Sequence, residues 1–124
     1  MNKGLKIVLY IIMVWLALLG ILFIFFPSVA EKVLAAPLPD RGLSLLYGQV
    51  VLTLAYAAFL AGRGGEGSFL LSRIILVLTL GHVIVFGYQL AVGNAGFPQA
   101  GPPLIINLIF TILLFIFRRN PKKA

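Results

Sequence analysis

The sequence contains no cysteine, one histidine and only three acidic residues among 124. Without cysteine the chain forms no disulfide and no Cys-ligated metal site. The three acids, Glu31, Asp40 and Glu66, all fall in predicted loops, so no paired carboxylates stand ready for acid–base chemistry or for metal binding. We therefore predict no catalytic residues and no metal site, and we expect that the chain is not an enzyme.

Charge is scarce as well, because only 10% of the residues are charged whereas 61% are hydrophobic. Together with a mean hydropathy of +1.11, this composition is typical of an integral membrane protein rather than of a soluble domain. A helix needs about 20 apolar residues to cross roughly 30 Å of hydrocarbon. The chain therefore holds no more than about five spans.

Four apolar runs are candidate spans. We predict an all-α protein, a polytopic membrane four-helix bundle that forms a single domain over residues 1–124, with spans at about residues 5–26, 43–61, 69–92 and 102–118. The first run is too long for a signal peptide, whose apolar region has about 7–15 residues. The fourth run is short, but Pro102 and Pro103 suit the first turn of a helix. Residues 27–36 form either a loop or a short interfacial helix with Ser28 as its cap and Glu31 in the capping-box position.

The basic residues are distributed unevenly between the predicted connections. Two of the ten, Lys32 and Arg41, lie between the first and second spans, and the others lie on the opposite side: Lys3, Lys6, Arg63, Arg73, Arg118, Arg119, Lys122 and Lys123. The positive-inside rule then predicts that both termini are cytoplasmic in a multi-pass membrane protein. The net charge of +7 fits this orientation signal beside anionic headgroups, so we expect no nucleic-acid partner.

Polar residues within the spans follow helical spacing. They lie on the second span at Gln49, Thr53 and Tyr56, on the third at Thr79, His82 and Gln89, and on the fourth at Asn107 and Thr111. Residues three or four positions apart share one helix face, and polar groups at membrane depth usually face the bundle interior. Most of them would then line one pocket in the outer half of the membrane.

This predicted pocket has the amides of Gln49, Gln89 and Asn107 in its walls and His82, Thr53 and Thr111 at its base, with Tyr47 and Tyr88 at the rim. Three interpretations stay open. The polar groups bond the helices to one another, or they bind a quinone, a lipid or a tetrapyrrole, with the lone imidazole beside Gly81 as an axial ligand, or His82 transfers protons. No acid at membrane depth is present to receive a proton from His82.

The order of sequence features along the chain also resembles that of a known family. A first span ending in "FFP", a second beginning after "RGLSLLYG", a third reading "SRIILVLTLGHVIVFGYQL" and a Gly/Pro-rich loop before the last span together resemble the DoxX-like superfamily of small bacterial membrane proteins. The resemblance implies a four-helix bundle of the inner (cytoplasmic) membrane and association with membrane oxidoreductase complexes. It supplies no motif from which site residues can be assigned.

Two functions from different classes follow. The first is a non-catalytic accessory or interaction subunit that packs in the lipid bilayer against other membrane subunits or against copies of itself. The second is a quinone-, lipid- or pigment-binding component of a membrane oxidoreductase. A small transporter is less favoured, because the spans lack buried acids and broken helices.

Overall fold

The computed structural model describes residues 3–34, 41–93 and 96–119. They form five helices, and no β-strand occurs among them. In chain order these are α1 (Lys3–Phe25), α2 (Pro27–Leu34), α3 (Arg41–Arg63), α4 (Ser68–Ala91) and α5 (Phe97–Arg119). All except α2 are long and apolar enough to cross a membrane. The prediction of a helical protein with four helices long and apolar enough to span a membrane is therefore confirmed for the described residues.

The last helix begins earlier than the sequence indicates. It starts at Phe97, so Pro102 and Pro103 lie inside it and not in its first turn. A proline lacks the N–H that would bond to the carbonyl four residues back, which usually favours a position at the helix start. Here the additional turn is held by packing, because the Phe97 ring covers Gly101 so closely that an added Cβ would lie 2.9 Å from it.

The short helix α2 follows α1 almost without interruption. Pro27 is its first residue, a position that tolerates proline because that N–H has no intrahelical partner. The carbonyl of Phe26 accepts the N–H groups of Val29 at 3.1 Å and Ala30 at 3.0 Å. Ser28 thus lies within the helix and does not cap it as predicted. Residues 35 and 36 of the predicted interfacial segment lie outside the described residues.

The four long helices form a ring in chain order. α1 packs against α3 and α5, and α4 packs against α3 and α5. Consecutive long helices run in opposite directions, as shown at one end where Gly4 meets Phe117 and Lys6 lies beside Gly64. We call this the basic end, since the described cations there are Lys3, Lys6, Arg63, Arg73, Arg118 and Arg119. Lys122 and Lys123 lie outside the described residues.

The most extensive helix contact joins α1 to α3. The α1 face is large and apolar, with buried residues at alternating steps of four and three: Leu5, Leu9, Ile12, Leu16, Leu19 and Phe23. The α3 face has the same spacing but mostly small residues: Ser44, Gly48, Val51, Ala55, Ala58 and Gly62. Large side chains of one helix thus fill the space left by small side chains of the other, as in coiled-coil packing.

The two backbones come closest near Gly20 and Gly48. A Cβ added to Gly20 would lie 3.1 Å from the carbonyl oxygen of Gly48, and one added to Gly48 would lie 3.0 Å from that of Gly20. One turn earlier on α3, the buried Ser44 hydroxyl donates a 2.5 Å hydrogen bond to the Phe23 carbonyl. Small residues at helix contacts allow this approach, which is the main source of van der Waals attraction between helices in lipid.

At the basic end, Arg118 joins α5 to α4. Its Nε donates to the Ser72 hydroxyl at 2.8 Å, and its guanidinium carbon lies 4.4 Å from the centre of the Phe69 ring. Ser72 is fully buried and donates to the Phe69 carbonyl at 2.6 Å. The arginine therefore bonds to a neighbouring helix, in addition to lying close enough to the helix end to reach the headgroup region.

Candidate functional site

His82 lies on α4, half-buried, with both ring nitrogens in contact with other groups. Nδ1 lies 2.8 Å from the Leu78 carbonyl, and Nε2 lies 3.4 Å from the Tyr47 hydroxyl on α3. A carbonyl only accepts hydrogen bonds, so Nδ1 carries a proton and donates to Leu78. In the neutral imidazole Nε2 is then the acceptor, and it faces the Tyr47 hydroxyl on α3.

Tyr47 is held in this position by aromatic packing. Its ring makes an edge-to-face contact with Phe23 of α1, with centroids 4.6 Å apart. Phe23 is buried, whereas about 38% of Tyr47 is exposed. The hydroxyl therefore lies where the contact between α1 and α3 meets α4, and His82 and Tyr47 form a pair that reaches the surface of the bundle.

A second polar group lies between α4 and α5. The Thr79 and Thr111 hydroxyls are 3.1 Å apart, Thr79 lies 3.0 Å from the Leu76 carbonyl, and Thr111 lies 2.8 Å from the Asn107 carbonyl. Two hydroxyl protons serve these three contacts, because each hydroxyl donates once. The Asn107 side chain is buried and donates to the Pro103 carbonyl at 2.8 Å. This group is closed on itself and links the two helices.

Gln49 and Thr53 lie elsewhere, on the exposed face of α3. They bond to each other: the Gln49 side-chain nitrogen donates to the Thr53 hydroxyl at 3.1 Å, and that hydroxyl lies 3.0 Å from the Gln49 carbonyl. Tyr56, on the same face, is 62% exposed. We call Gln49, Thr53 and Tyr56 the outer polar stripe. It faces away from the other helices and not toward His82.

The six residues predicted for one pocket therefore fall into separate groups. Asn107 and Thr111 lie together, Gln49 and Thr53 lie together, and His82 pairs with Tyr47. Gln89 lies on α4, half-buried, two turns beyond His82. Among the described ranges no hydrogen bond joins the Gln49, Gln89 and Asn107 amides to one another. Whether any of these groups binds a ligand stays a prediction.

Thr79 and Thr111, which bond across helices, were predicted to face the bundle interior, but three other residues that bond across helices were not predicted to do so. Tyr47 was placed only at the rim of the predicted pocket, and Ser44 and Ser72 were given no role in the bundle. One signal was present for Ser44, because it opens the series of small residues at steps of four and three along α3. That spacing marks a close helix contact, and a hydroxyl within it is positioned to bond to the facing backbone.

Within residues 3–34, 41–93 and 96–119 no cluster of three or more His, Cys, Asp or Glu side chains is placed to hold a metal ion. Tetrapyrrole ligation would have to use the single His82 Nε2, which faces the Tyr47 hydroxyl. A tetrapyrrole could bind this nitrogen only if the Tyr47 side chain turned away from it. A quinol hydroxyl, by contrast, is the kind of donor that this nitrogen accepts.

Comparison of the chain with protein-family models, with curated proteins and with solved structures finds no match.

Proposed function

We propose that this chain is a non-catalytic accessory or interaction subunit of a larger membrane assembly. It lies in the cytoplasmic membrane with both termini in the cytoplasm, and it contacts other subunits or further copies of itself. The orientation is supported by the basic end, where Lys3, Lys6, Arg63, Arg73 and Arg118 gather and where the positive-inside rule places the cytoplasm. The resemblance to the DoxX-like superfamily supports a subunit of this kind.

The observation that carries the proposal is the outer polar stripe on α3. Gln49 and Thr53 lie about 8 and 14 Å along the span that begins at Ser44. An amide has two donor hydrogens and an acceptor oxygen, and the bond to Thr53 uses only one hydrogen. Polar groups facing lipid at this depth are unfavourable. A neighbouring protein helix with its own polar group would satisfy the remaining sites.

A double substitution tests this role. We expect Gln49→Leu with Thr53→Val to keep the chain folded, because both side chains point away from the bundle, and to weaken association by about 1 kcal/mol, or roughly fivefold. The measurement is the size of the complex extracted from native membranes in mild detergent, set against the 13.5 kDa chain. Val85→Leu, also at an exposed position but on α4, is the matched control.

Mass analysis of the extracted wild-type complex also shows its composition, because it distinguishes further copies of this chain from other subunits. A wild-type chain that is extracted alone from native membranes under mild conditions contradicts the accessory role. So does a complex of unchanged size and yield in the double variant, because the outer polar stripe would then make no contact with a partner.

A second candidate is a quinone-, lipid- or pigment-binding component of a membrane oxidoreductase. The His82–Tyr47 pair favours it, since an imidazole and a hydroxyl lie partly exposed between α3 and α4. A ligand that carries a hydroxyl on a ring could take the place of Tyr47 beside His82 Nε2, with a hydrogen bond shorter than the present 3.4 Å contact. The Phe86 ring, 6.1 Å from the imidazole, adds apolar surface beside it.

His82→Ala separates the two candidates. If the pair binds a ligand, the purified wild type contains a solvent-extractable quinone or lipid, or absorbs in the visible range, and the variant loses that molecule while it stays assembled. If the pair only joins helices, the wild type contains no such molecule, and the free energy of unfolding of the variant is lower by about 1 kcal/mol. Equal stability and equal bound content in both proteins would contradict both roles.

A further inference from the structure

The exposed face of α1 carries a shallow, wide-open depression near the basic end, which we call the groove. It is lined by Ile7, Tyr10, Ile11 and Val14, and its volume is about 400 Å³. The lining residues extend for about 11 Å along the helix axis. The walls are apolar apart from the Tyr10 hydroxyl, so in a bilayer the groove has the length and chemistry to hold a segment of an acyl chain.

Two cations from different helices lie beside the end of this groove. Lys6 precedes Tyr10 by one helical turn and is half-buried. Arg63 is at the end of α3, where its guanidinium carbon lies 5.7 Å from the centre of the Phe59 ring. That ring in turn lies 6.3 Å from the ring of Tyr10. Arg63 is thus connected to the groove through one aromatic contact between α1 and α3, and Lys6 lies one turn from Tyr10 on α1 itself.

The turn after α3 leaves room for the lysine. Gly64 has a φ of 81°, a left-handed conformation that favours glycine, and the Lys6 Nζ lies 3.5 Å from where a Cβ on Gly64 would be. The ammonium group therefore rests against a backbone that has no side chain. One carboxylate, Glu66, lies in the same turn and is exposed, so the charge beside the groove is predominantly positive.

We propose that this region binds one anionic phospholipid, with its phosphate between Lys6 and Arg63 and one acyl chain in the groove along α1. Charge complementarity selects this occupant, because a protein helix could fill the apolar groove without using the two cations. Arginine and lysine are the side chains that pair with phosphate oxygens. Both lie at helix ends, at the level where headgroups meet the hydrocarbon. The site uses other residues than the His82–Tyr47 pair, and it adjoins the outer polar stripe where Tyr56 stacks on Phe59, with ring centroids 6.5 Å apart.

The test measures lipid retention by the purified full-length chain after exchange into phosphatidylglycerol or phosphatidylcholine, read by native mass spectrometry. We expect the anionic lipid to be retained at least fivefold more strongly, and Lys6→Gln with Arg63→Gln to remove that preference. Arg73→Gln is the matched control, since Arg73 is an exposed cation at the same end of the bundle but on α4. It should retain the preference.

Two further arms distinguish the headgroup from the whole lipid. Glycerophosphoglycerol, which has the headgroup without acyl chains, should fail to displace the lipid, and Ile11→Trp, which fills the groove, should lower retention of the anionic lipid. Equal retention of both lipids by the wild type would overturn the proposal, and that comparison needs no variant to fold. The proposal would also be overturned if Arg73→Gln lost the preference for the anionic lipid as fully as the double variant does. Displacement of the lipid by glycerophosphoglycerol alone would overturn it too.

Discussion

Replacing Gly48 by isoleucine is expected to separate α1 from α3 and to lower the free energy of unfolding by about 3 kcal/mol, near the upper end of the range for overpacked sites. A Cβ at this position would lie 2.6 Å from Ile24 Cγ1, 3.0 Å from the Gly20 carbonyl oxygen and 3.1 Å from Phe23 Cβ. The Ile24 side chain can rotate away. The Gly20 carbonyl belongs to a helix backbone and moves only if the helix moves with it.

The displacement also affects the hydrogen bond one turn away. Ser44 is fully buried and donates to the Phe23 carbonyl at 2.5 Å, so moving the helices apart at Gly48 leaves that hydroxyl without its partner. In lipid, helices associate by close packing and interhelical hydrogen bonds. The substitution weakens both at the same contact, which is why its effect should exceed that of other single changes on α3.

The measurement is reversible unfolding in mixed micelles, with Gly81→Ile on α4 as the matched control. Both glycines are helical, so both variants gain the same intrinsic helix preference, but a Cβ on Gly81 meets nothing within 4 Å. We expect the control to change the free energy of unfolding by less than about 0.5 kcal/mol. Equal effects at the two positions would show that the close approach of α1 and α3 is not needed for stability.

Ile12→Ala is the second substitution with a large expected effect. Ile12 is fully buried in the face of α1 that packs on α3, and truncation leaves a cavity among close-packed neighbours. In a soluble protein such a change costs about 2–5 kcal/mol, partly from transfer to water and partly from the cavity. The side chain of a membrane helix returns to lipid and not to water, so we expect the cavity term alone, about 1–3 kcal/mol.

Ile11→Ala is the control that isolates the packing term. It makes the same chemical change one residue earlier, at a side chain that is 51% exposed whereas Ile12 is 0% exposed. Unfolding in the same micelles should show a loss for Ile12→Ala and almost none for Ile11→Ala. A similar loss at both positions would mean that side-chain volume on α1 acts through the lipid and not through contact with α3.

The candidate site shows where prediction from the sequence stops. Gln49, Thr53 and Tyr56 were correctly assigned to one face of one helix, because a period of 3.6 residues determines which side chains share a face. That face was expected to point inward with His82, and the structure turns it outward. Spacing within a helix carries no information on how the helix is rotated relative to its neighbours. The small residues from Ser44 to Gly62 on the other face were the better guide.

Bond partners show the same limit. Asn107 and Thr111 were predicted on one face of the last helix, and they bond within it and to Thr79. His82 was recognised as unusual, but its contact with Tyr47 joins residues 35 positions apart. The start of α5 was missed because Pro102 and Pro103 favour a helix beginning, whereas the packing of Phe97 on Gly101 extends the helix. The His82–Tyr47 contact depends on tertiary packing, whereas the Phe97–Gly101 contact is local and the two prolines outweighed it in the prediction.

The sequence by itself determined that this protein is helical, that four runs are long and apolar enough to span a bilayer, and that its cations are unevenly distributed. These properties follow from composition and from the order of residues along the chain. Only the tertiary structure decided which face of α3 is buried and which groups His82 and Arg118 contact. The physical reason is that lipid is as apolar as a protein interior, so hydropathy does not distinguish the inward face of a membrane helix from the outward one.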